Sequence, residues 1–255
     1  TWTGMNDDFE AIDKAVTEFN KKTGNQLCIH VDAASGGFIL PFLKPHIKWD
    51  FRLDNVLSIS TSGHKYGLVY PGLGWVIWKD KKYLPSEMAF SVNYLGADIT
   101  QVGLNFSRPA AQVLGQYYQF IRLGFQGYKA IQQNSMEIAE YLHGEIAKMP
   151  QFKNYSSELV NPLFIWSLNP KYDKVANWTL YDLQYKLQQN GWMVPAYTLP
   201  KDLEQCVVMR IVCRQGFSRD MADMLLTDIR MAVADLEKLS YPTQSRVEVN
   251  RNIHP

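Results

Sequence analysis

The chain has 255 residues, 46% of them apolar and 20% charged, and its 26 basic and 25 acidic side chains leave a formal net charge of +1. That composition suits a globular protein long enough to bury a sizeable core in one or two domains. The near-neutral balance lacks any basic block, so no nucleic acid and no membrane surface is expected as a partner. No apolar run approaches the ~20 residues that span a bilayer.

Cys28, Cys206 and Cys213 sit in apolar, strand-like runs. Their odd number and the lack of a CxxC spacing argue against a disulfide framework or a zinc site, so all three are expected to be buried free thiols. The opening Thr1-Trp2-Thr3-Gly4 is no basic-then-apolar leader, and a cytoplasmic location is expected.

In chain order, residues 6–22 read as a helix. Asn6 or Asp7 can cap it, Phe9, Ile12, Val16 and Phe19 recur at helical spacing, and Gly24 stops it. A strand over 27–31 ends at Asp32 and runs into Ser35-Gly36-Gly37. A second strand, 56–60, ends at a turn carrying Lys65, and a third covers 74–78. Residues 87–104 alternate weakly and fit a hairpin or a loop.

A long helical region follows over 110–149, interrupted near Gly124 and Gly127, with Ile138, Leu142 and Ile146 on its later stripe. Strands at 163–168 and 207–213 and helices at 179–189 and 218–239 make a smaller α+β unit. Pro242 ends the last helix, and the polar tail shows no periodicity. The order of helices and strands predicts an α/β fold with reactive groups at the carboxyl ends of its strands.

Two residues stand out chemically. Lys65 follows Gly63-His64 at a strand end, where an amine can project into a cleft and attack a carbonyl. A plain surface lysine is the alternative. Asp32 closes an apolar strand, where a carboxylate is costly without a cationic partner such as a protonated ring nitrogen; it could also face solvent or cap the next turn. Arg210, inside the run Cys206–Cys213, calls for an anion, either a bound carboxylate or a structural ion pair.

The stretches HVDAASGGF (30–38), WDFRLDNVLSISTSGHKYG (49–67), GLGWVIWKD (72–80), NYLGADI (93–99), NFSRPAAQV (105–113), GWMVPAYTL (191–199) and CVVMRIVCRQGF (206–217) carry a resemblance. In this order and at these separations they resemble the pyridoxal-phosphate amino acid decarboxylases, most closely those of the bacterial glutamate type. The resemblance implies a fold-type I architecture. Residues 1–135 would be the C-terminal part of the large cofactor-binding domain, 136–242 a small α+β domain and 243–255 a tail. It also implies that about 200 residues precede Thr1 in such a two-domain enzyme.

By the same resemblance the cofactor is pyridoxal 5'-phosphate. Lys65 would form its Schiff base, Asp32 would hold the pyridinium nitrogen and Ala34 would pack on a ring face. Ser62 and His64 would lie at the phosphate, where a helix cap is the alternative for a third group, Ser107 from a neighbouring subunit. Tyr94 would reach into the adjacent site to help protonate the product carbanion, and Thr1 would meet the phenolic oxygen. Arg210 would bind the carboxylate of L-glutamate, and His254 in the tail would act as a pH-dependent plug, with an unstructured tail as the alternative.

Sites shared across a homodimer or larger homo-oligomer are implied too. Ser35 stands where aromatic amino acid decarboxylases usually carry tyrosine, which supports glutamate as substrate. Two other readings stay open: an incompetent core that only folds and associates, and another fold-type I enzyme such as an aminotransferase or lyase.

Overall fold

The computed structural model describes residues 2–92, 96, 99–101, 109–156 and 158–247. The chain divides into two compact units, one of residues 7–129 and one of residues 1–6 with 130–255.

The first unit opens with α1 (Phe9–Thr23) and β1 (Ile29–Asp32). The cap of α1 is Asp8, not Asn6 or Asp7: its carboxylate accepts the Ala11 amide at 3.0 Å. The stripe on α1 is real in spacing, yet no residue of the helix is buried, and Ile12 and Phe19 face solvent. Polar bonds hold the helix instead. The Asn55 amide donates to the Asp13 carboxylate at 2.9 Å and the Asn55 side chain donates to Thr17 at 2.7 Å.

After β1 a 3-10 turn, Gly36–Phe38, leads into the short α2 (Leu40–Leu43). Strands β2 (Val56–Ser62) and β3 (Gly74–Trp78) complete a sheet of order β1-β2-β3. β1 and β2 are parallel, with Asp32 opposite Ser60; β2 and β3 are antiparallel. Val31, Val56 and Ile59 put their branched side chains in the core of this unit. The weakly alternating region contains a hairpin, β4 (Phe90–Val92) against β5 (Ile99–Gln101).

α3 (Ala111–Ala147) is broken once, at Gly124 (φ 55°), while Gly127 stays helical. Its part up to Lys129 belongs to the first unit. There Phe42 stacks on Tyr128 with ring centroids 5.3 Å apart, and Phe38 meets the same ring at 5.9 Å. These aromatic contacts tie the loop after β1 to the helix.

The second unit holds β6 (Phe152–Asn154), β7 (Leu163–Leu168), α4 (Pro170–Asp173), α5 (Leu180–Gln189), β8 (Ala196–Thr198), β9 (Val207–Val212) and α6 (Arg219–Leu236). Its sheet has the order β6-β7-β9-β8 and is antiparallel throughout. Phe164, Trp166, Leu183, Leu187, Leu225 and Ile229 are buried here with Leu142 and Ile146 of the later α3 stripe. β7 is buried on both faces from Phe164 to Leu168, and on its second face Ile165 packs with Leu199 and Val208.

Two expectations need correction. Cys28 is exposed rather than buried, because β1 begins only at Ile29 and leaves the cysteine in the connector; Cys206 is half-buried and Cys213 buried. The tail is ordered at its root: residues 244–247 form a helical turn, and the Arg246 guanidinium donates to the Asp173 carboxylate at 2.6 Å and to the Asp173 carbonyl. Among the described residues no helix is long and apolar enough to cross a membrane.

Candidate active site

Backbone pairing between β1 and β2 continues past the strand ends. The Ala33 amide donates to the Ser60 carbonyl at 2.8 Å, and the Ser62 amide donates to the Ala34 carbonyl at 3.2 Å. Two chain segments thus leave the sheet side by side at their carboxyl ends, one bearing Asp32 and Ala34, the other Ser62, His64 and Lys65. Parallel strands bring their carboxyl ends to one edge, which is where open α/β sheets hold ligands.

On the first segment the Asp32 carboxylate accepts the Ala34 amide at 3.0 Å, fixing one oxygen. The side chain remains solvent-accessible, and among the described residues no cation forms an ion pair with it. On the second segment Lys65 and His64 stand exposed on the turn 63–67, and no described carboxylate pairs with Lys65. An acid without a protein cation and an amine without a protein anion, carried on neighbouring segments, suit a ligand that presents a basic ring nitrogen and an aldehyde. That chemistry fits pyridoxal phosphate.

The Lys65 turn is tight. A Cβ on Gly67 would lie 2.6 Å from the Gly63 carbonyl oxygen, and one on Gly63 would lie 2.5 Å from Oε1 of Gln116. Only glycine lets the two ends of the turn approach so closely. From α3, Gln116 Nε2 and the Tyr128 hydroxyl both donate to the Gly67 carbonyl at 2.8 Å, and Gln119 Nε2 donates to the Leu68 carbonyl at 3.2 Å. Burial pushes the Tyr128 phenol up to about 12, against a smaller opposing effect of its bond with Gln116, so it keeps its proton and acts as a donor.

Sequence reasoning missed this clamp. Glutamine and tyrosine on a helix carry no local signal of a partner many residues upstream. It also missed His30, on the same face of β1 as Asp32, whose ring nitrogens lie 2.8 Å from the Ser58 hydroxyl and 3.2 Å from that of Ser60.

Arg210 lies in the second unit, in the middle of β9 opposite Ile165 of β7, and is half-buried. Its guanidinium carbon is 5.5 Å from the Tyr197 ring centroid. Thr1, Tyr94, Ser107 and His254 lie outside the described residues. Among the described residues no group of His, Cys, Asp and Glu is placed to hold a metal ion.

The family model described as "Pyridoxal-dependent decarboxylase conserved domain" matches residues 1–168. Glutamate decarboxylase beta of Listeria monocytogenes is 48% identical over 236 residues, 92% of this chain and 50% of its own length. Glutamate decarboxylase of Lactococcus lactis is 48% identical over 238 residues, 93% of this chain and 51% of its own. The solved glutamate decarboxylase of Lactobacillus brevis superposes with a TM-score of 0.86 at 46% identity, covering 93% of this chain and 54% of that one. The chain spans about half the length of the curated relatives it matches. The architecture is the fold-type I α/β arrangement expected from the sequence. Over a segment that includes both the Asp32 and the Lys65 ends of the sheet, the chain belongs to the pyridoxal-dependent decarboxylase family.

Proposed function

We propose that the protein removes the α-carboxylate of L-glutamate with pyridoxal 5'-phosphate, giving 4-aminobutyrate and carbon dioxide and consuming one proton. The observation that carries this is the pairing of the Asp32 and Lys65 segments at one sheet edge, neither group neutralised by a described protein charge. The names of the relatives supply glutamate, and they do not favour the reading of a core that only folds and associates.

When bound, the cofactor supplies an electron sink for the pair left at Cα as its bond to the carboxylate breaks. Lys65 would hold the cofactor through its amine. Asp32 keeps a proton on the ring nitrogen, its own orientation set by the Ala34 amide. Ala34 offers a small surface to the ring face, and Ser62 and His64 meet the phosphate. Arg210 takes the substrate's α-carboxylate, with the donors of its guanidinium fixing the direction of the breaking bond.

Thr1, Tyr94, Ser107 and His254 keep the roles that the family pattern implies, within a homo-oligomer whose sites are shared and which works in the cytoplasm. The division at residues 135 and 242 belongs to the same proposal. A proton consumed per turnover suits a role in acid resistance.

The test is reconstitution of the purified protein with pyridoxal phosphate. We expect the yellow absorbance of a cofactor held by an amine, its loss in Lys65→Ala, and labelled 4-aminobutyrate from labelled glutamate. Unchanged absorbance in Lys65→Ala, or release of a product other than 4-aminobutyrate, overturns the reading.

A further inference from the structure

Two donors on α3 converge on one oxygen although 12 positions part them in the chain. Gln116 Nε2 and the Tyr128 hydroxyl both lie 2.8 Å from the Gly67 carbonyl oxygen and 3.0 Å from each other. A straight α-helix would set these two residues about 18 Å apart along its axis and about 120° apart around it. Ordinary bond lengths let a glutamine reach about 5 Å from its Cα and a tyrosine about 6.5 Å, which falls short of closing that gap. The clamp therefore exists only because α3 bends between its two donors.

The bend lies at Gly124, where φ 55° and ψ −167° join a left-handed φ to an extended ψ, a pairing that glycine alone adopts without strain. Gly127 completes the elbow: a Cβ there would fall 2.8 Å from the Leu123 Cβ, so the Leu123 side chain lies where a second one would go. Across the elbow the rings of Phe120 and Tyr128 meet with centroids 5.9 Å apart. A Cβ at Gly124 itself would meet nothing within 4 Å among the described residues. Backbone conformation, not a crowding neighbour, is thus what calls for glycine at 124. All of these residues, with Gly67, belong to the first unit.

We propose that Gly124 is a positioning residue for the cofactor site. The elbow it makes brings Tyr128 back beside Gln116, and the two donors together fix the Gly67 carbonyl and, with it, the turn that presents Lys65. This rests on the reading of Lys65 as the amine that holds pyridoxal phosphate. An L-residue at 124 relaxes toward angles with negative φ. That change swings the segment carrying Tyr128 away from Gln116, and the Gly67 carbonyl loses a donor. Gln119, on the near side of the elbow, keeps its 3.2 Å bond to the Leu68 carbonyl, so the turn loosens at Gly67 without coming away from α3.

The experiment titrates the purified protein with pyridoxal phosphate and reads absorbance and visible circular dichroism, the second reporting how firmly the bound chromophore is oriented. In Gly124→Ala the dissociation constant should rise about tenfold, the value of one to two hydrogen bonds. Dichroism per bound cofactor should fall even at saturation. Gly144→Ala, in the same helix and with equally open space around its Cβ, should match the wild type in both. Tyr128→Phe should weaken uptake on its own and change nothing when added to Gly124→Ala, because the bond it removes is already gone. A glycine with a merely structural role would give additive losses and unaltered dichroism.

Wild-type uptake and dichroism in Gly124→Ala overturn the proposal, as do an equal loss in Gly144→Ala or additive losses in the double variant. If Gly124→Ala fails to fold, Gln116→Leu combined with Tyr128→Phe removes both donors and leaves the elbow intact. Uptake weakened about tenfold there supports the proposal, and wild-type uptake overturns it. Lys65→Ala separates the two layers. If it keeps the wild-type absorbance, the reading of Lys65 falls and the proposal with it. If it loses that absorbance while Gly124→Ala behaves as the wild type, only the role of Gly124 falls.

Discussion

The hydroxyl of Tyr128 donates to the carbonyl of Gly67 across 2.8 Å, and through this bond α3 holds the turn on which Lys65 stands. The phenol is buried beneath the rings of Phe38 and Phe42, so the carbonyl it satisfies has little water to turn to. Tyr128→Phe leaves the Gln116 bond in place and is expected to cost about 1 kcal/mol. Urea unfolding of the two proteins checks this, and an unchanged midpoint would show that Gln116 alone secures the turn.

Gly67 permits a second, sharper test. Adding one methyl group in Gly67→Ala puts a carbon 2.6 Å from the Gly63 carbonyl oxygen, against backbone that cannot swing aside. The expected cost is about 1–3 kcal/mol of overpacking. Weaker uptake of pyridoxal phosphate should accompany it, measured by titrating absorbance. Stability and uptake equal to the wild type would mean that the turn opens without penalty.

Alkaline pH should loosen the fold through two tyrosines. Burial pushes the Tyr128 phenol up to about 12 from its ordinary 10.0, and burial with the Glu237 hydrogen bond does the same for Tyr172. The unfolded chain releases these protons first. Their contribution to stability is therefore complete below pH 10.0 and is lost as the pH rises toward about 12. Urea midpoints measured across that window should fall, and fall less steeply in Tyr128→Phe.

At the tail root, Arg246 is largely buried and is held by the carboxylate and the carbonyl of Asp173. The Thr243 hydroxyl adds a bond to the Asp182 carboxylate at 2.8 Å, on the oxygen that also caps α5 through Thr179. Arg246→Ala should cost about 1 kcal/mol, because Asp173 stays partly hydrated. It should also speed protease cleavage between Pro242 and Val247. Cleavage at the wild-type rate would show that Thr243 suffices to hold the segment.

Much of the fold was legible before any coordinate. The β1 end at Asp32, the Lys65 turn, β3, the interrupted α3, β7, α5, β9 and α6 all announce themselves through period and punctuation, which are local properties of the chain. What escaped was short or depended on distant partners. β6 and β8 are three residues long and pair only because β7 and β9 are there to receive them. The cap moved to Asp8 because three side chains in a row could serve, and only the backbone path into α1 chose among them.

The candidate site divides the same way. By itself the sequence determined which residues carry reactive groups, since an amine after a glycine turn and an acid at a strand end are chemical facts of Lys65 and Asp32, and the ordered motifs placed the chain in its family. Tertiary structure alone decided what holds them in place: Gln116 and Tyr128 on the Gly67 carbonyl, and His30 between two serines. The reason is physical. Reactivity resides in a side chain and its immediate neighbours, whereas orientation comes from hydrogen bonds whose two ends meet only after the chain has folded.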